Sequence, residues 1–249
     1  MTRLIRAEVL KLRTTQVWFW LLLASVGVCI LAAVASLASD DVHKPTDVAL
    51  IFANANGGLV TAFIVGILGI TTELRYQTFT PTVLITPSRF AIVAAKLITY
   101  ALAGAAYAVV GIVIQLAIVL PWLASRNIDF ELGADVRHAL VGLVLAFVLF
   151  AIMGVGGGSL LRNQILAITL GLVFLLVIDN LIGAIPGVRA AFPYTPEGAM
   201  LSILYPSGGE SHPDGVTLLS WPGGITVLLL WALVPAAMGA ALTLSRDIT

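Results

Sequence analysis

Long apolar runs separated by short polar stretches dominate this chain, and their lengths predict helices that cross a bilayer. Six runs stand out: Val17 to Leu37, about Val48 to Thr72, Phe90 to Leu120, Ala139 to Leu161, Ile165 to about Ile185, and Gly223 to Leu244. A crossing needs about 20 apolar residues, each adding about 1.5 Å, to span a hydrocarbon core about 30 Å thick. Every run meets that length. Backbone amides in lipid must find partners within their own segment, so the runs are expected to be helices and not strands. The expected fold class is an all-α membrane protein, a single six-helix transmembrane domain over residues 17–249. Two runs carry an internal charge, Lys96 in the third and Asp179 in the fifth.

A different pattern precedes the first run. Ile5, Val9 and Leu12 fall at i, i+4 and i+7, which puts them on one helical stripe, while Arg3, Arg6, Glu8, Lys11 and Arg13 lie off it. Residues 1–16 therefore read as an amphipathic helix at the membrane interface, its charges toward water and anionic lipid. It serves either as a positive flank that fixes topology or as a docking surface for a cytoplasmic partner. Ala33-Val34-Ala35 has the form of a signal cleavage site. The apolar run before it is longer than a signal core usually is, so a retained anchor is expected.

Charge fixes the expected orientation. With the N-terminus inside, the inner side holds Arg3, Arg6, Lys11, Arg13, Arg75, Arg89, Lys96, Arg162 and Arg246, against Lys44, Arg126, Arg137 and Arg189 outside. That bias places both termini in the cytoplasm and the protein in the plasma membrane as a multi-pass species. Lys96, about two turns into its helix, is expected to snorkel to the inner surface.

Composition agrees and closes off other classes. Residues are 59% hydrophobic and 10% charged, where a soluble domain has roughly a quarter charged. No Gly-x-x-x-x-Gly-Lys-Ser/Thr loop is present to hold ATP phosphates, and no basic surface interleaved with aromatics points to nucleic acid. Gly157-Gly158-Ser159 has the form of an intramembrane serine nucleophile. Its base would be a histidine, yet His43, His138 and His212 fall at the opposite side of the bilayer from Ser159. Those histidines also lack metal-site spacing. No catalysis, metal or cofactor is expected in this chain. Cys29 is the only cysteine, so no intramolecular disulfide is possible.

Between the second and third runs lies Glu73-Leu74-Arg75-Tyr76-Gln77-Thr78-Phe79-Thr80-Pro81, continuing through Thr86-Pro87-Ser88-Arg89 to Lys96. It is too long for a minimal turn. It also carries an apolar patch, Val83-Leu84-Ile85, suited to the bilayer surface or to a groove in a partner.

A glutamate closing the second span, a threonine, a short apolar stretch, Pro-x-Arg and a lysine in the third span together resemble the permease subunits of type 2 ABC (ABC-2) exporters. The lead-in Ala7-Glu8-Val9-Leu10-Lys11-Leu12-Arg13 is similar to the start of many such permeases. So is Gly156-Gly157-Gly158-Ser159-Leu160-Leu161-Arg162-Asn163-Gln164, followed by Ala167. The pattern departs at Gln77, where many members carry glycine. The resemblance implies a pair of permeases, with a second copy or a paralogue, each held by a cytoplasmic ABC ATPase that binds the ATP and Mg. It implies export of a lipophilic or amphipathic substrate, such as a drug, peptide or lipid. By position, Glu73, Arg75, Thr78, Phe79, Pro87 and Arg89 would form the ATPase-coupling segment, with the N-terminal helix contacting the same partner.

Residues 186–222 are apolar but broken by Pro186, Pro193, Pro196, Pro206, Pro213 and Pro222. Within them, Thr195-Pro196-Glu197 is a helix start: a cap, proline at the first position and an acid in the first turn. A short helix over Ala199 to Leu204, dipping back into the membrane before the last span, is expected there. Asp179 and Asn180 are candidates for a pathway or gate, with Asp179 expected near the outer interface. Asn54 and Asn56, followed by Gly57-Gly58, either line a path or bond across closely packed helices. The competing function is an ion-coupled carrier or channel, which would normally show several intramembrane ionisable residues or two matched halves.

Overall fold

A computed structural model describes residues 1–38, 48–76, 89–128, 130–205 and 217–244, and in these the chain is all-helical. Among the described residues, five helices are long and apolar enough to cross a membrane. They are α2 (Val17–Ala38), α5 (Arg89–Ser125), α6 (Ala134–Leu161), the continuous helix from α7 (Gln164–Val173) into α8 (Asp179–Ala184), and α10 (Trp221–Leu244). Before them lies α1 (Thr2–Thr14).

The second expected run is not one helix. It comprises α3 (Val48–Ala53), a 3-10 segment (Asn54–Gly58) and α4 (Leu59–Arg75), of which α4 has 17 residues. Asparagine and glycine are weak helix formers, and four of them fall within five positions at this break. The third run goes the other way and extends beyond its expected end through Pro121 to Ser125. The fifth continues past Asp179, with one π-helical stretch at Phe174–Ile178.

The helix α6 is the hub. It packs on α4, α5, α10 and α9 (Pro196–Leu204). Of its most apolar stretch 67% is buried, against 17% for Gln164–Ala184, which lies at the periphery. The α4–α6 contact is made at backbone distance. A side chain at Gly66 would overlap the Ala151 carbonyl, and one at Gly154 would overlap that of Phe63. Small residues that admit such contact are the usual glue of membrane helices, where lipid is as apolar as leucine.

The chain alternates between two ends of the bundle. At the α1 end, the α6–α7 turn takes only Arg162 and Asn163. Arg162 is left-handed (φ 52°) and the Asn163 side chain accepts from Leu166 N–H. At the far end, Asn54 Nδ2 donates to Ser36 Oγ at 3.2 Å and the Tyr205 hydroxyl donates to Asn54 Oδ1 at 3.5 Å. Aromatic residues mark both ends, Trp18, Phe19 and Trp20 at one and Trp122 and Trp221 at the other. That is the arrangement of interfacial belts. Two apolar clusters fill the interior. The larger follows α4, α5, α6 and α9, and the smaller, around Ile51, Phe52, Val119 and Leu123, lies at the far end.

Candidate functional site

Four charged side chains meet under α1. Lys11 Nζ lies 2.8 Å from Glu8 Oε1 and 2.7 Å from Glu73 Oε1, while Lys96 Nζ lies 2.7 Å from Glu8 Oε2 and 2.7 Å from Glu73 Oε1. Lys96 also donates to the Gly69 carbonyl at 3.2 Å. Two carboxylates and two ammoniums cancel, which is what permits burial: isolated ions in such a place cost several kcal/mol each, about that much again lost if one partner is removed. Lys96 is fully buried, Glu8 and Glu73 nearly so, and Lys11 reaches the edge. Burial works against the Lys11 ammonium, but hydrogen bonds and charge from Glu73 and Glu8 outweigh it and raise its pKa.

The local sequence explains each position. On α1 an arc of Leu4, Ile5, Glu8, Lys11 and Leu12 is turned to the protein, and Arg3, Arg6, Leu10 and Arg13 are exposed on the other side. Glu73 is in the last turn of α4, and Lys96 is two turns into α5. Gly69 lies against the Tyr100 ring, and any side chain there would overlap it. The Tyr107 hydroxyl of α5 donates to the Trp18 carbonyl and fixes the α1–α2 corner. The cluster thus ties α1 to α4 and α5 at once.

Two expectations are corrected here. Lys96 does not snorkel to the surface: it is fully buried, and two carboxylates and the Gly69 carbonyl meet it inside. Glu8 does not face water with the other charges of α1; it is 4% exposed and turned inward. Ile5, Val9 and Leu12 are each half-buried, with Leu12 against the main core.

Of the expected coupling residues, Glu73 joins this cluster. Arg75 is exposed, its guanidinium 5.7 Å from the Tyr76 ring centroid. Thr78, Phe79 and Pro87, with the patch Val83-Leu84-Ile85, lie outside the described residues. Arg89 begins α5, and its side chain is outside the described set. Sequence reasoning left Glu8, Lys11 and Lys96 out of the site. A signal was present, since a lysine within an apolar span needs a nearby counter-charge.

The second group of candidates is at the far end. Asp179 is fully buried at this far end, and its Oδ2 accepts from the Glu197 backbone N–H at 3.1 Å. It sits at the start of α9, where the Thr195 side chain also accepts from Gly198 N–H at 3.2 Å and Pro196 holds the first position. The anticipated helix start is therefore present. Asn180, exposed, donates to the Leu176 carbonyl at 3.1 Å and to Glu197 Oε2 at 3.4 Å. Asn54 bridges α2 and the end of α9 as described above, and the Asn56 side chain is outside the described residues. Gly58 faces Phe147, Ser25 and Cys29, so close packing is its role.

Ser159 Oγ donates to the Gly156 carbonyl at 2.7 Å, a bond internal to its helix. A family model described as ABC-2 family transporter protein matches residues 4–178. The chain belongs to the ABC-2 transporter family. No curated protein matches it. Members of this family are the membrane component of a transporter and are not themselves catalytic, and the family as a whole works with ABC ATPases. The matched residues run from α1 through the last π-helical turn before Asp179 and so include the whole charge cluster.

Proposed function

We propose that this ABC-2 permease is one half of the membrane pathway of an ATP-driven exporter. It works beside a second copy or a paralogue, on a cytoplasmic ABC ATPase that carries the ATP and Mg. In this reading the broken segment α3–α4 supplies the sixth crossing, both termini are cytoplasmic, and residues 189–204 re-enter the membrane from outside. The cargo is lipophilic or amphipathic, in keeping with a bundle whose apolar surfaces face lipid. Drug efflux is one such task.

One observation carries the proposal. The Glu8–Lys11–Glu73–Lys96 cluster fastens α1 to the two helix ends that flank residues 77–88. A push on that segment by a partner is delivered to α4 and α5, and the cluster passes it to α1 without slack. A connecting loop alone would need no such fastening, since breaking one side of a buried ion pair costs about 3–5 kcal/mol.

The test is to tag the chain, extract it gently from its native membrane and identify what accompanies it by mass spectrometry. Variants Arg75→Glu, at an exposed position, and Glu73→Gln serve as comparisons. One ATPase subunit held by the wild type and lost from folded Arg75→Glu supports the proposal. Folded wild type that retains no ATPase overturns it and brings forward the carrier or channel reading, with Asp179 first in line.

A further inference from the structure

Beneath α1 a groove of about 720 Å³ opens between α2, α4 and α7. Its apolar wall is made chiefly by Trp18, Ile64, Leu68 and Ile168. Ile64 and Leu68 are one helical turn apart on α4, and both are only partly buried although their neighbours Val65, Gly66 and Ile67 are buried. Among the described residues, this less covered face of α4 is the one that lines the groove. Its polar end holds the Glu8–Lys11–Glu73 side of the charge cluster, and Arg75 stands at the rim.

Charge decides what fits. Within the cluster the two carboxylates and two ammoniums cancel, which among the described residues leaves Arg75 as the surplus charge on the groove. The Lys11 side chain, 42% exposed, is the other cation that a ligand can reach. Glu8 gives both oxygens to lysines and Glu73 Oε1 accepts two, while Glu73 Oε2 is buried without a hydrogen-bond partner among the described residues and so is closed to a ligand in the groove. An apolar slot at bilayer depth, with cations at its mouth, matches an acyl chain joined to an anionic headgroup.

We infer that this groove holds the headgroup and one acyl chain of an anionic phospholipid drawn from the leaflet at the α1 end. The bound lipid covers the open face of α4 and braces α1 over the charge cluster. With the orientation proposed above, that leaflet is the cytoplasmic one. The inference requires only that the chain lie in a bilayer, and it stands or falls apart from the ATPase reading.

The experiment uses the full-length chain, purified with any partner subunit that accompanies it and stripped of lipid in detergent. Phosphatidylglycerol and phosphatidylcholine are titrated in turn, with binding read by native mass spectrometry. Phosphatidylglycerol is expected to bind about tenfold tighter, the value of one charge-assisted contact. Arg75→Gln, on an exposed residue, is expected to erase that preference. Leu68→Trp, which fills the slot, is expected to weaken both lipids while helical content stays the same. Equal binding of the two lipids to the wild type overturns the inference. So does an intermolecular disulfide through Leu68→Cys in a Cys29→Ser background, because the groove would then be covered by a second copy.

Discussion

The two ends of the bundle bury carboxylates by opposite means. At the α1 end, Glu8 and Glu73 are met by full positive charges on Lys11 and Lys96, and three separate helices are pinned together. At the far end, Asp179 forms no ion pair among the described residues and takes instead a backbone N–H at the start of α9. A helix N-terminus carries only about half an elementary charge. The first arrangement is expensive to open from one side and suits a joint that must transmit force. The second supplies a weaker attraction to its carboxylate, so the ends are expected to differ in stiffness because they differ in the source of positive charge.

The strongest way to break this contrast is Lys96→Ala. It leaves Glu8 and Glu73 buried against Lys11 alone, and a loss of about 3–5 kcal/mol is expected, read by denaturant unfolding in detergent. Pairing Lys96→Met with Glu73→Gln should recover part of that loss, because the cost lies in the unmatched charge and not in the absent pair. A single variant no worse than the double would show that the cluster is not the joint described. At the far end, Asp179→Ala should cost about 1–2 kcal/mol, the value of a helix cap, and speed amide exchange at Glu197 and its neighbours in α9 alone. Asp179→Asn keeps an acceptor and should change little. If both variants melt the whole bundle together, the far end is as stiff as the near one.

The smallest effect sharpens the picture within the cluster. Lys11→Ala should cost about 1 kcal/mol or less, since its side chain reaches water and screening weakens its pairs. Salt should reduce that cost while leaving the Lys96→Ala cost unchanged. The pKa of Lys11 is raised, so its contribution is complete at neutral pH and below. It is lost only as pH climbs through the raised value, and a Lys11→Ala difference that fades between pH 6 and 8 would contradict this.

Hydropathy and local chemistry alone determined the class of the molecule, most of its helices and the cap at Thr195. The amphipathic lead-in ends at Thr14, and Thr195-Pro196-Glu197 starts a helix as its residue types require. Even the break at Asn54–Gly58 was written in four weak helix formers. These are short-range matters, settled by a residue and its neighbours within a turn or two. Tertiary structure decided which faces are buried and which charges meet. In a lipid-soluble bundle every face of a helix is apolar, so the periodicity that marks the buried side of a water-soluble helix is absent. Nothing along the chain singles out α6 as the hub, or turns Glu8 away from the arginines beside it. Lys96 and Glu8 are 88 residues apart, and the desolvation of one makes sense only when packing brings the other to it.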